Sequence, residues 1–128
     1  STRFVLKVIS GPNTGAEFAL EADREYLIGT DATTCDIVFY DLSVSREHAR
    51  LAVSKSGQLF IEDLNSRNGV VVDRERIINR TLLSPTTVIS LGTSSFIIID
   101  REAPSQTIVS SLPEEKEEKV YEEEFTRE

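Results

Sequence analysis

Between Phe4 and Arg101 the chain is a succession of short apolar runs that return at roughly ten-residue spacing. FVLKVI, AEFAL, EYLIG, DIVFY, ARLAV, LFIEDL, VVV, RIIN, TVISL and SFIIID follow one another, many of them rich in Val, Ile and Phe. The stretches GPNTG, KSGQ, NSRNG and LGTSS punctuate them. β-branched and aromatic residues suit a pleated, half-buried surface, and Gly, Pro and Asn supply the turns between such runs. Leu59–Leu64 alternates cleanly, with Leu, Ile and Asp on one side and Phe, Glu and Leu on the other. No segment of this region repeats its apolar residues at 3.6-residue spacing over a helical length. The pattern predicts an all-β protein, an antiparallel β-sandwich of ten or eleven strands in two sheets of five or six.

The character changes at Glu102. Residues 1–101 hold 11 basic and 13 acidic side chains, whereas residues 102–128 hold 3 and 9. APSQTIVSSLP reads as a linker, and EEKEEKVYEEEFTRE is a charged run of helix formers behind Pro113. Glu115 and Lys119 stand in a helix-favouring i,i+4 order. The expected organisation is a sandwich domain over 1–101 and an acidic linker or short helix over 102–128.

The formal charge of −8 argues against general nucleic-acid binding, which needs a basic face. Residues 46–80, with 7 basic and 5 acidic side chains, leave room for a small anion site. A lone cysteine, Cys35, excludes an internal disulfide and suits a reducing compartment. No apolar run approaches the ~18 residues of a membrane span, so this segment is not expected to insert in a bilayer. It reads as cytoplasmic, or as the cytoplasmic part of a membrane-anchored protein.

SVSREHARL, from Ser43 to Leu51, holds the only histidine, His48, three residues after Ser45. A hydrolytic pair would need a third group to orient the base and an oxyanion hole, and Ser45 lies in no G-x-S-x-G elbow. One histidine and one cysteine do not make a transition-metal site. No catalytic residue, metal or cofactor is expected, and His48 reads as structural. Asn68-Gly69, taken alone, reads as a hairpin turn joining LFIEDL to VVV.

Three features nevertheless fall in fixed order: YLIGTD at 26–31, SREH at 45–48 and DLNSRNGVVV at 63–72. Together they resemble the forkhead-associated (FHA) domain, whose pattern is Gly-Arg, then Ser-x-x-His, then Asn-Gly on loops at one end of a β-sandwich. The resemblance covers about residues 4–100. It implies eleven strands and loops that bind phosphothreonine peptides. Ser45 would donate its hydroxyl to a phosphate oxygen, and Arg46 and Arg67 would reach phosphate or peptide. Asn68 would hold the peptide backbone. His48 would brace the Ser45 loop, Gly69 would permit the turn that aims Asn68, and Gly29 would allow close backbone packing. A dianionic phosphate favours charge-assisted donors from several loops.

One position departs from the family pattern. Thr30 follows Gly29 where the resemblance implies arginine, and Asp31 adds a negative charge beside it. Members lacking that arginine use the fold for phosphate-independent interaction; type III secretion inner-membrane ring proteins carry such domains, and the chain also resembles, more weakly, those of chlamydial ring proteins. No cyclase-like carboxylate pair or nucleotide loop is legible. The expected function is a protein–protein interaction module in a larger assembly, with weakened or absent phosphothreonine binding. The alternative is a phosphothreonine reader in kinase signalling that uses Ser45, Arg46, Arg67 and Asn68. The expected partners are a protein or phosphopeptide, including other subunits of a membrane-associated assembly.

Overall fold

The computed structural model describes residues 3–103. The linker-or-helix expectation falls almost wholly on residues 104–128, outside the described residues.

Eleven strands form in chain order: β1 (Phe4–Ser10), β2 (Glu17–Leu20), β3 (Arg24–Gly29), β4 (Ile37–Val38), β5 (Ala49–Val53), β6 (Leu59–Asp63), β7 (Val70–Val72), β8 (Glu75–Arg76), β9 (Thr81–Leu83), β10 (Ile89–Leu91) and β11 (Ser94–Asp100). One sheet runs β2-β1-β11-β10-β7-β8, and the other runs β4-β3-β5-β6-β9. The expected all-β sandwich of six and five strands is what forms. Alternation drives it. Phe4, Leu6 and Val8 of β1 point inward, as do Ile28 of β3, Leu51 of β5, Ile61 of β6 and Phe96 and Ile98 of β11. Burying each such side chain stabilises the fold by about 1.5–3 kcal/mol before entropy is counted. The Phe39 and Phe96 rings meet across the sandwich at 6.2 Å between centroids.

Four details differ from the sequence reading. RIIN is not a strand: β8 stops at Arg76, Ile77 packs against the core and Ile78 is 92% exposed. β9, built from Thr-Leu-Leu, had no clear signature because only Leu83 is buried. β3 and β4 pair in parallel within otherwise antiparallel sheets. Asp36 makes this short return possible, its carboxylate accepting the Leu27 amide at 2.8 Å while its own amide donates to the Leu27 carbonyl at 2.9 Å. Finally, Asn68-Gly69 does not close a hairpin between β6 and β7. Those strands lie in different sheets, and 64–69 crosses the end of the sandwich. Asn65 takes the left-handed conformation at φ 58°, which Asn tolerates, and turns the chain out of β6.

The registers separate the two ends of the molecule. β1 and β11 pair from Phe4↔Asp100 to Ser10↔Ser95. At the first end Arg3 makes a bidentate ion pair with Asp100, both bonds 3.0 Å. At the other end gather the segments 30–36, 39–48, 64–69 and the turn at Gly92-Thr93.

Candidate functional site

The loop end is assembled around backbone contacts that only glycine allows. A side chain on Gly29 would collide with the Arg46 carbonyl. With none there, the Thr30 and Asp31 amides donate to the Ser45 and Arg46 carbonyls, each at 3.2 Å. The β3–β4 and β4–β5 loops are thereby joined. Cys35 adds to the seam by donating its thiol hydrogen to the Arg46 carbonyl at 3.1 Å, and burial pushes its pKa up.

His48 is completely buried. Its Nδ1 accepts the Ser45 amide at 3.0 Å, so the ring hydrogen lies on Nε2, which donates to the Gly69 carbonyl at 2.7 Å. Its backbone amide donates to Ile28 at 2.8 Å, and its carbonyl accepts the Leu64 amide at 2.9 Å. One residue thus ties together β3, the Ser45 loop and both ends of the 64–69 crossing.

Ser45 Oγ accepts the Arg67 amide at 3.1 Å. Its own hydroxyl hydrogen meets no acceptor among the described residues, so it can donate outward. The 64–69 segment is clamped to the 40–45 loop by two further bonds. Arg67 Nη2 donates to the Leu42 carbonyl at 2.9 Å, and Asn68 Nδ2 donates to the Ser43 carbonyl at 2.8 Å. Gly69 sits at φ 76°, its amide held by Ser66 Oγ, which in turn donates to Asp63 at 2.5 Å. An open depression of about 890 Å³ results, lined by Thr30, Asp31, Ser45, Arg46, Arg67 and the exposed Tyr40 and Leu42 among others. All eight residues singled out from the sequence lie at this one end.

The charge balance is specific. Asp31 lies beside Thr30, held below the usual carboxylate range by the Thr33 hydroxyl and amide, with a smaller contribution from Arg46. Arg46 and Arg67 have no carboxylate within 4.0 Å among the described residues. No cluster of metal-ligating side chains occurs among the described residues.

The support beneath the site escaped the sequence reading. Asp41 is buried with four donors. Oδ1 accepts the Ser43 amide at 2.9 Å and hydroxyl at 2.6 Å, and Oδ2 accepts Thr93 Oγ1 at 2.7 Å and Ser94 Oγ at 2.6 Å. Burial pushes its pKa up, but the bonds from Ser43, Ser94 and Thr93 outweigh that and hold it far below the usual carboxylate range. The available signal was local: Asp followed at i+2 by Ser is an Asx-turn pattern. The partners at 93 and 94 carried none.

The fold and this loop end define an FHA domain, a protein–protein interaction module. Residues 7–102 match the family described as the inner membrane component of the type III secretion system (T3SS), cytoplasmic domain, and the chain belongs to that family. The crystal structure of the FHA domain of CT664 from Chlamydia trachomatis is 41% identical, with a TM-score of 0.75 over 77% of this chain and 98% of that one. The FhaA FHA domain, complexed with the intracellular domain of Rv3910, is 25% identical, with a TM-score of 0.64 over 74% and 98%. A protein phosphatase 1 regulatory inhibitor subunit PPP1R8 homolog from Arabidopsis thaliana is 40% identical over 58 residues, spanning 45% of this chain and only 16% of the relative. No helix among the described residues is long and apolar enough to cross a membrane.

Proposed function

We propose that the loop end docks an extended segment of a protein partner within a larger membrane-associated assembly, and that phosphothreonine adds little to the affinity. Ser45, Arg46, Arg67 and Asn68 face the docked segment, with Gly29, His48 and Gly69 holding them. The sandwich of 1–101 is the docking domain on the cytoplasmic side of a membrane-anchored protein, and residues 102–128 connect it onward. Membership of the T3SS inner-membrane family supports the assembly role, and a similar FHA domain was crystallised with a protein partner.

Thr30 carries the reading on phosphate. It lines the depression where the family pattern has arginine, and Asp31 is its neighbour. A threonine hydroxyl has neither the charge nor the forked donor geometry of a guanidinium. Titrating the chain with a phosphothreonine peptide library and its unphosphorylated twins tests this. Comparable weak binding by both sets is expected. A second reading, a phosphothreonine reader, is favoured by the Ser45 hydroxyl and by Arg46, neither of which meets a side-chain acceptor or carboxylate partner among the described residues. Strong preference for the phosphorylated set would establish it.

A further inference from the structure

The arginines of the described residues divide into two groups. Arg3 pairs with Asp100, Arg24 with Asp36, and Arg50 with Glu25 and Glu62, while Arg80 lies over the Phe60 ring. Arg46, Arg67, Arg74, Arg76 and Arg101 have no ion-pair partner within 4.0 Å among the described residues. Three of these five stand at the loop end. Arg46 and Arg67 line the depression. Arg76 comes from β8: its guanidinium occupies the space that a Gly69 side chain would take, next to Asn68. Three acids line the same depression, and one of them, Glu47, stands exposed beside Arg46. Asp41 is committed to four donors, and Asp31 is bonded to Thr33 on the Thr30 side. Arg67 and the Arg76 guanidinium over Gly69 put two cations beside Asn68. Tyr40 and Leu42, which line the depression, stand exposed at 73% and 97%.

The chain contains a segment of matching chemistry. Residues 114–128 carry 8 acidic and 3 basic side chains, interleaved with Val120, Tyr121 and Phe125. The reach is sufficient. Glu114 lies eleven residues past Ala103, and extended chain covers about 3.3–3.6 Å per residue, or roughly 36–40 Å. The seven residues of β1, which run from the Arg3 end to the loop end, span only about 23 Å. Thr107, four residues past Ala103, reaches about 14 Å and falls short.

We propose that residues 114–128 dock in cis on the loop end, placing glutamates on Arg67 and Arg76 and apolar side chains on Tyr40 and Leu42. The tail then occupies the surface a partner needs, and a partner must displace it. This rests on the reading of the loop end as a peptide-docking surface. Tethering makes the contact intramolecular, so even a weak site is occupied. The contact is screened by salt.

The test uses the full chain and a tail-neutralised form carrying Glu114→Gln, Glu115→Gln, Glu122→Gln, Glu123→Gln and Glu124→Gln. NMR shifts are compared for the Ser45, Asn68 and Gly69 amides and for the Arg67 and Arg76 Nε groups. The expected differences cluster on these groups, shrink in Arg76→Gln and at high salt, and persist on dilution. Identical spectra for the two tails would overturn the proposal, as would differences centred on Arg24, Arg50 or Arg101, or differences that vanish on dilution. Adding a phosphothreonine peptide and its unphosphorylated twin to the tail-neutralised form tests the docking reading separately, since no acidic tail competes there.

Discussion

The packed sheets and the loop end are held by different physics. Between the sheets the buried side chains are apolar: Leu6, Ile28, Leu51, Ile61 and Phe96 are fully enclosed and make no directional bond. Every buried polar side chain among the described residues, namely Asp41, His48, Ser66 and Ser94, belongs to the loop end. Apolar burial is non-directional, so a core tolerates swaps of similar volume. A buried hydrogen-bonded group has no such latitude, because removing one partner leaves the other unsatisfied. The sheets supply stability, and the loop end supplies one shape.

The largest effect expected is in the sheets. Phe96→Ala removes a ring that touches Phe39 and should cost about 3–5 kcal/mol in chemical denaturation. Conservative core changes should be mild by contrast: Ile61→Val should cost about 0.5–1.5 kcal/mol.

Asp41→Ala should cost about 3 kcal/mol, since bonds to a charged acceptor contribute about 1.5–3 kcal/mol each and are not additive. The same carboxylate gives the comparison a pH axis. Its folded pKa lies below the unfolded value of about 3.9. Its stabilisation is therefore complete above about pH 4 and declines as pH falls towards the folded value. Denaturation of the native chain and Asp41→Ala from pH 6 to 2 should show two stability curves converging at low pH. Parallel curves would mean that Asp41 gains nothing from its four donors.

His48→Ala should cost about 1–3 kcal/mol through the unsatisfied Ser45 amide and Gly69 carbonyl, with the Ser45 and Gly69 amide shifts moving most. An unchanged melting temperature would break the claim that this ring ties the loops together. The smallest effect is expected outside the sandwich. Truncation after Ala103 should alter stability by under about 0.5 kcal/mol, since a weakly docked acidic segment buries little. Unfolding or precipitation would contradict this.

The same contrast decides what the sequence reveals. The sheets are legible because burial imposes a period of two on consecutive residues, as in LFIED. RIIN misleads because an apolar pair can fall in a loop: Ile77 packs while Ile78 faces solvent. The loop end was legible only as a constellation, Gly29, Ser45, His48, Asn68 and Gly69, whose order resembles a known family. Asp41 and its donors at 93 and 94 were hidden because the partners lie 52 and 53 residues apart. Arg76 was hidden because its placement depends on the empty space over Gly69. Taken alone, the crossing at 64–69 reads as a hairpin because an Asn-Gly pair has the same local chemistry in both settings.

The central claim is that this loop end keeps its shape but lacks the cation that makes phosphate decisive. Thr30→Arg tests it most directly, titrated beside the native chain with one phosphothreonine peptide and its unphosphorylated twin. A restored charge-assisted contact contributes about 1.5–3 kcal/mol, so the variant should bind the phosphorylated peptide about tenfold to over a hundredfold more tightly, with little change for the twin. Tight phosphate-dependent binding by the native chain, lost in Arg46→Ala or Arg67→Ala, would contradict the account. So would a variant that gains nothing, since the loops would then not hold the geometry assigned to them.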